Sequence, residues 1–283
     1  MKQLDTNLIE ADWLVEQLDH ESVKLVDSTW FMPDSGRNGK LEWAQSRIPG
    51  AVFFDYDSEI KDHQSSLPHM LPTPEKFEKA VGALGISHSD LIVVYSRNGL
   101  FSAARCWWMF KVMGHQNVAV LNMSFDEWDS KGYPVERGEP VSGITQAVYQ
   151  SQFAPERVID KHDLLHALMT KSSAVVDVRP AQRFWGQVPE PREGMASGHM
   201  PGASNLPFIN LIENGKLIVK EKLLPLIEPY AAENRPLVSS CGSGVTACIF
   251  ALAMEEFADK TVCVYDGSWS EWGTHPDLPV TKE

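Results

Sequence analysis

Pro236-Leu-Val-Ser-Ser-Cys-Gly-Ser-Gly-Val-Thr-Ala247 runs directly into the apolar Cys248-Ile-Phe-Ala-Leu-Ala-Met254. The pattern is a short apolar strand, one cysteine, two glycines two residues apart and then a helix. Gly242 and Gly244 tolerate backbone angles that other residues resist, so the loop can curl tightly around Cys241. Such a loop turns successive N–H groups toward one point and ends at a helix N-terminus, and both features attract negative charge. A thiol held there is expected to ionise below its free pKa of about 8.5 and to act as a nucleophile. Taken alone, the loop is equally readable as a buried strand-end cysteine beside an ordinary glycine turn, because cysteine is among the most buried residue types.

At 283 residues the chain has room for two domains at about 100–200 residues each. Its net charge of −13 argues against a nucleic-acid backbone or an anionic membrane as partner. Individual arginines therefore become informative, since an acidic protein that handles an anion must gather positive charge locally. The N-terminal Met1-Lys-Gln-Leu-Asp-Thr-Asn7 lacks the basic start, apolar centre and cleavage site of a signal peptide. No apolar run approaches the roughly 20 residues that span a bilayer. The four cysteines, Cys106, Cys241, Cys248 and Cys263, form neither a Cys-x-x-Cys pair nor a regular framework. Reduced thiols in the cytoplasm are the expectation.

The order of elements is α/β. A short amphipathic helix over 12–18 precedes a strand at 24–27, and a helix starting at Pro74 precedes the apolar strand Leu91-Ile-Val-Val-Tyr95. A polar turn, Ser96-Arg-Asn-Gly99, leads to a helix over 101–113 and a strand at 118–121. The second half repeats this order. The strand at 174–178 answers the first strand, and Gly198-His-Met-Pro-Gly-Ala203 answers Ser46-Arg-Ile-Pro-Gly-Ala51. The strands at 237–240 and 262–265 complete the match. Ser102 and Thr246, each followed by Ala, are 144 residues apart, and so are Trp128 and Trp272. A constant offset through strand, loop, helix and strand indicates duplication of one α/β domain. The join is expected near 137–157, where glycine and proline interrupt any periodicity. Ligands in such folds sit beyond the carboxyl ends of parallel strands, where the Cys241 loop falls. At the same offset Arg97 takes the place of Cys241, and Asn98-Gly99-Leu100 replaces Gly-Ser-Gly. Only one copy surrounds a thiol with glycines, which favours Cys241 as a nucleophile.

The tandem domains, the Cys241-Gly-Ser-Gly-Val-Thr246 loop and the two Pro-Gly-Ala segments resemble the two-domain rhodanese family. So does the closing Tyr265-Asp-Gly-Ser-Trp-Ser-Glu-Trp272. The likeness extends from about residue 11 to residue 280. Within the family, the loop is similar to that of the 3-mercaptopyruvate sulfurtransferases. The thiosulfate-using members tend to carry basic residues where Gly242 and Ser243 stand. The resemblance implies two tandem rhodanese-like domains, each a mostly parallel sheet with helices on both faces. The expected division is 1–137 without the thiol, a linker over 138–157, and a catalytic domain over 158–283.

It also implies the chemistry. Cys241 would take sulfur from a small-molecule donor, release pyruvate, and pass the sulfur from a persulfide to cyanide or to a thiol, such as a thioredoxin-like protein. No cofactor is expected. Gly242, Gly244, Val245 and Thr246 would cradle the charge on sulfur. Arg183 and Arg192, in the Pro-rich loop after the second domain's first strand, match the family's substrate-binding pair, and a guanidinium suits a carboxylate. Ser243 could donate a proton as pyruvate leaves. Asp57 and His69 match an acid and a histidine that the family places near that serine, in a relay lying between the domains. Arg179, Asp27, Asp177, His199, and the thiols other than Cys241 are expected to be structural. Trp107, Trp108, Phe110 and Met113 are expected in the core. His20, His63 and His162 have no metal-ligand spacing.

Three other activities remain to be weighed. A phosphatase of the Cys-x5-Arg type needs Arg where Ala247 stands and a loop one residue longer. A thiosulfate:cyanide sulfurtransferase would share the persulfide but not the donor. A non-catalytic sulfur carrier would hand its persulfide directly to a partner.

Overall fold

The structure is a computed structural model in which residues 4–140 and 143–282 are described. Met1 to Gln3 of the N-terminal stretch and Val141 and Ser142 of the expected linker lie outside the described residues. The chain forms two compact units that are not contiguous in sequence. The first holds Met1–His63, Leu71–Ala154 and Asn214–Lys216, and the second holds Gln64–Met70, Pro155–Glu213 and Leu217–Glu283.

In the first unit, β1 (Leu8–Ile9), β2 (Val23–Asp27), β3 (Val52–Phe53), β4 (Leu91–Tyr95) and β5 (Val118–Leu121) form a five-stranded sheet. Its order is β1-β5-β4-β2-β3, and every pairing is parallel. All five residues of β4 are buried, so both faces of the central strand are covered. Leu91, Val93 and Tyr95 face a cluster containing Leu14 of α1 (Ala11–Gln17). Phe125 and Trp128 of α5 (Phe125–Ser130) complete it. Helix α4 (Leu100–Val112) packs on β4 and β5. It is buried around nearly its whole circumference, including Trp107, Trp108 and Phe110 as expected.

The second unit repeats the arrangement. The strands β6 (Val158–Ile159), β7 (Ala174–Asp177), β8 (Ser204–Asn205), β9 (Leu237–Ser240) and β10 (Cys263–Tyr265) run β6-β10-β9-β7-β8, all parallel. The equivalence reaches individual atoms. Trp128 Nε1 donates to the Pro134 carbonyl at 2.8 Å, and Trp272 Nε1 to the Pro279 carbonyl at 2.9 Å. Each buried indole is thus satisfied by the chain that folds back over it. Both tryptophans sit in the core clusters of their units.

One helix escapes the apolar periodicity. Lys220–Ala231 is helical although Pro225 and Pro229 lie inside it. Its buried face is Leu223 and Ile227, while both prolines are exposed. The carbonyls they deprive of N–H partners can therefore take water instead.

The two copies differ at the start of the helix that follows the central strand. In the first unit, Gly99 has φ +64° and precedes Leu100, whose N–H donates to the Gly215 carbonyl at 2.8 Å. A Cβ on Gly99 would lie 2.1 Å from that oxygen. Gly132 also has positive φ, but a Cβ there meets nothing within 4 Å. Gly132→Ala is therefore expected to cost only the left-handed backbone penalty, about 1–2 kcal/mol. Gly99→Ala adds a steric conflict with backbone and should lower the denaturant midpoint distinctly more. Equal midpoints for the two variants would refute this account of the contact.

Candidate active site

Strand β9 is buried throughout and delivers Cys241 at its carboxyl end. Cys241 is 2% exposed. The loop 242–246 then passes to α9 (Ala247–Ala258), whose first eight residues are all buried. Gly244 takes φ +74°, the left-handed angle that its lack of a side chain permits. Among the described residues, the N–H groups of Gly242, Ser243, Val245 and Thr246 make no hydrogen bond to another part of the chain. They are the free donors of a loop at a helix N-terminus.

The turn into α10 (Ser268–Trp272) holds this loop in place. The Cys241 N–H donates to Ser268 Oγ at 3.1 Å, and Ser268 Oγ donates to the Tyr265 carbonyl at 2.8 Å. The same hydroxyl lies 4.0 Å from Cys241 Sγ. The Trp269 N–H donates to the Cys241 carbonyl at 3.0 Å, and the Ser270 N–H to the Gly242 carbonyl at 2.8 Å. Ser268 has φ +48°, a costly angle for a residue with a side chain. Sequence reasoning assigned Ser268 and Ser270 no role, although both lie in the quoted closing segment. Ser124, 144 residues earlier than Ser268, is an ordinary N-cap that accepts from the Glu127 N–H. Both copies carry serine at this position, so only the structure separates the two tasks.

The arginines of the Pro-rich loop lie beside this cradle. A Cβ built on Gly242 would sit 3.4 Å from Nη2 of Arg183 and 3.9 Å from Nη1, so the guanidinium faces the loop next to the thiol. Arg183 Nε donates to both oxygens of Glu190, at 3.1 and 3.2 Å, and its Nη2 pairs with the same carboxylate. Arg192 is exposed, and its Nη1 donates to Ser270 Oγ at 2.8 Å, which itself donates to the Gly242 carbonyl at 2.7 Å.

Arg179 is the structural residue expected. It is 1% exposed and reaches both oxygens of Asp177, the Gly198 carbonyl and Glu190 Oε1, with its guanidinium 3.9 Å above the Trp269 ring. Glu190 is the residue that sequence reasoning passed over. Nothing in a Pro-Glu-Pro stretch announces that this side chain will be 1% exposed between two arginines.

The three residues of the expected relay fall in different units. Asp57 belongs to the first, on a loop where Asp55 Oδ1 accepts from the N–H groups of Asp57 and Ser58. Although His69 precedes α3 (Pro74–Ala83) in the first repeat, Gln64–Met70 packs in the second unit, which also holds Ser243. His69 is 1% exposed and has φ +61°.

The other thiols are held in the core. Burial pushes the Cys106 thiol well above its ordinary value and the Cys263 thiol up to about 12. Cys248 Sγ donates to the Gly244 carbonyl at 3.3 Å. His199 Nδ1 is bonded to the Phe184 carbonyl, and the ring stacks on Phe184. In the first copy, Arg97 is equally committed. Its guanidinium donates to the carbonyls of Glu42 and Ser46 and lies over the Phe125 ring. Among the described residues, no three His, Cys, Asp or Glu side chains cluster as metal ligands. No helix among them is long and apolar enough to cross a membrane.

Comparison with known proteins agrees with this architecture. Residues 10–131 and 160–275 match the rhodanese-like domain. The 3-mercaptopyruvate sulfurtransferase of Escherichia coli K12 is 38% identical over 277 residues, covering 97% of this chain and 98% of that protein. The mitochondrial thiosulfate/3-mercaptopyruvate sulfurtransferase 1 of Arabidopsis thaliana is also 38% identical, covering 96% of this chain and 77% of that protein. The crystal structure of SseA from Escherichia coli, described as a 3-mercaptopyruvate sulfotransferase of rhodanese fold, superposes with a TM-score of 0.83. It is 36% identical and covers 94% of this chain and 100% of that one. Two parallel sheets of the same strand order, one of which ends its central strand in a cysteine loop, have one explanation. The chain belongs to the rhodanese family and carries two copies of its domain.

Proposed function

We propose that the chain is a 3-mercaptopyruvate sulfurtransferase working through a persulfide on Cys241. The observation that carries this reading is the position of the Arg183 guanidinium against Gly242, one residue from the thiol. A donor whose carboxylate rests on Arg183 presents its sulfur to Cys241, and Arg192, tied to the loop through Ser270, supplies a second cation.

The reaction then runs in two halves. The Cys241 thiolate attacks the donor sulfur, an S–S bond forms and the C–S bond breaks. Its electron pair passes to carbon as the pyruvate enolate, which takes up the proton of the donor thiol and leaves as pyruvate. Charge left on the outer sulfur is held by the N–H groups of residues 242–246, which are fixed in place before it arrives. An acceptor thiolate, or cyanide, then attacks the outer sulfur and restores the Cys241 thiolate, giving ping-pong kinetics. Ser243, two residues after the thiol and inside the loop, offers a side-chain hydroxyl for proton transfer to the leaving carbon. A thioredoxin-like dithiol is a suitable acceptor, because its second thiol can displace the sulfur as sulfide. The free state of all four cysteines supports a reducing compartment such as the cytoplasm.

A second donor has specific support, since the Arabidopsis relative is named for both thiosulfate and 3-mercaptopyruvate. Comparing turnover with the two donors separates these readings, and a clear preference for thiosulfate would overturn ours. Incubation with 3-mercaptopyruvate and no acceptor should add one sulfur atom to the intact mass, and cyanide should remove it. Cys241→Ser should abolish both the added sulfur and pyruvate formation. Pyruvate release at an unchanged rate would remove Cys241 from the chemistry. Arg183→Ala deletes a charge-assisted contact of about 1.5–3 kcal/mol, so kcat/KM for 3-mercaptopyruvate should fall roughly tenfold to a hundredfold, mainly through KM.

A further inference from the structure

The side chain of Glu190 is 1% exposed and serves two arginines at once. Oε1 accepts from Arg179 Nη1 at 2.9 Å and from Arg183 Nε at 3.2 Å, while Oε2 takes Arg183 Nε and Nη2. Arg179 in turn is paired with the buried Asp177 at 2.6 Å. Two carboxylates and two guanidiniums thus close a network with no net charge. Arg183 faces Gly242 with Nη2 nearest and Nη1 farther away, while its Nε and Nη2 are held by the Glu190 carboxylate, which offsets its charge. Arg192, bonded among the described residues to the neutral Ser270 hydroxyl alone, contributes the surplus cation. Counted with Arg192, these five side chains carry one net positive charge, although three of them are arginines.

That charge suits a donor with a single negative charge. 3-Mercaptopyruvate with a protonated thiol is a monoanion, whereas thiosulfate is a dianion. We propose that Glu190 is a positioning and specificity-determining residue. Its buried carboxylate aims Arg183 at Gly242 and, by neutralising it, biases the site toward monocarboxylate sulfur donors over dianionic ones. The inference rests on the reading that Arg183 meets the donor. A Cβ at Gly242 would meet the guanidinium at van der Waals distance, 3.4 Å from Nη2.

The test is the ratio of kcat/KM for thiosulfate to that for 3-mercaptopyruvate, measured in the full-length wild type, Glu190→Gln and Glu190→Asp. Glu190→Gln removes the charge and should raise the ratio roughly tenfold, because a dianion gains more than a monoanion from one added positive charge. Glu190→Asp keeps the charge but shortens the reach. It should leave the ratio within about twofold of wild type while raising KM for both donors. A residue that only supports the fold would lower both efficiencies together in Glu190→Gln, and an unmoved ratio in that variant overturns the proposal. If Glu190→Gln does not fold, Glu190→Asp carries the test, and a shift toward thiosulfate there overturns it. The underlying reading fails separately, if the wild type gains no sulfur from 3-mercaptopyruvate or if Arg183→Ala leaves KM unchanged.

Discussion

Three hydrogen bonds between the turn into α10 and the cysteine loop govern this architecture: Cys241 N–H to Ser268, Trp269 N–H to the Cys241 carbonyl, and Ser270 N–H to the Gly242 carbonyl. They tie the end of β9 to the segment following β10, its neighbour in the sheet. A loop held from both sides cannot fold its free N–H groups back onto its own carbonyls. Those groups remain directed donors beside the Cys241 thiol.

The tie extends outward through Trp269. Its backbone fixes Cys241, and its ring carries the Arg179 guanidinium, which holds Asp177 at the end of β7 and Glu190 in the Pro-rich loop. Glu190 then fixes Arg183 against Gly242. Cys241 and Arg183 thus belong to one continuous set of contacts within the second unit. Buried ion pairs of this kind contribute little net stability, because desolvation offsets the attraction. Their value here is geometric, since a guanidinium bonded along one edge has few orientations left for the other.

The first copy shows what happens to the same scaffold without that task. Arg97 occupies the thiol's place and is bound to backbone carbonyls, and the N-terminus of α4 is closed by the Gly215 carbonyl. Ser124, in register with Ser268, is an N-cap with ordinary angles. Duplication preserved the sheet order and the buried tryptophans, while the polar contacts at the strand ends diverged. Packing of the central strands constrains every residue on both faces, whereas a strand-end loop is constrained only by what it must hold.

Much of this was written in local sequence. The apolar runs of β4 and β9, the repeat offset and the glycines around Cys241 act over a few neighbouring residues, so parallel sheets, duplication and the thiol loop could be read from the chain alone. The helix over Lys220–Ala231 could not, because its two prolines are tolerated only on the face that the fold leaves exposed. Glu190, Ser268 and Ser270 were silent for a similar reason. A glutamate between prolines and serines in a turn have no intrinsic preference for burial or for a partner far along the chain. His69 shows the same limit, since its place in the first repeat gave no sign that its segment packs in the second unit. The sequence by itself determined the duplicated α/β scaffold and the glycine loop around Cys241. Only the tertiary structure decided which polar groups fix the thiol and aim the arginines, because hydrogen bonds and ion pairs across 7 to 78 residues of sequence leave no local pattern.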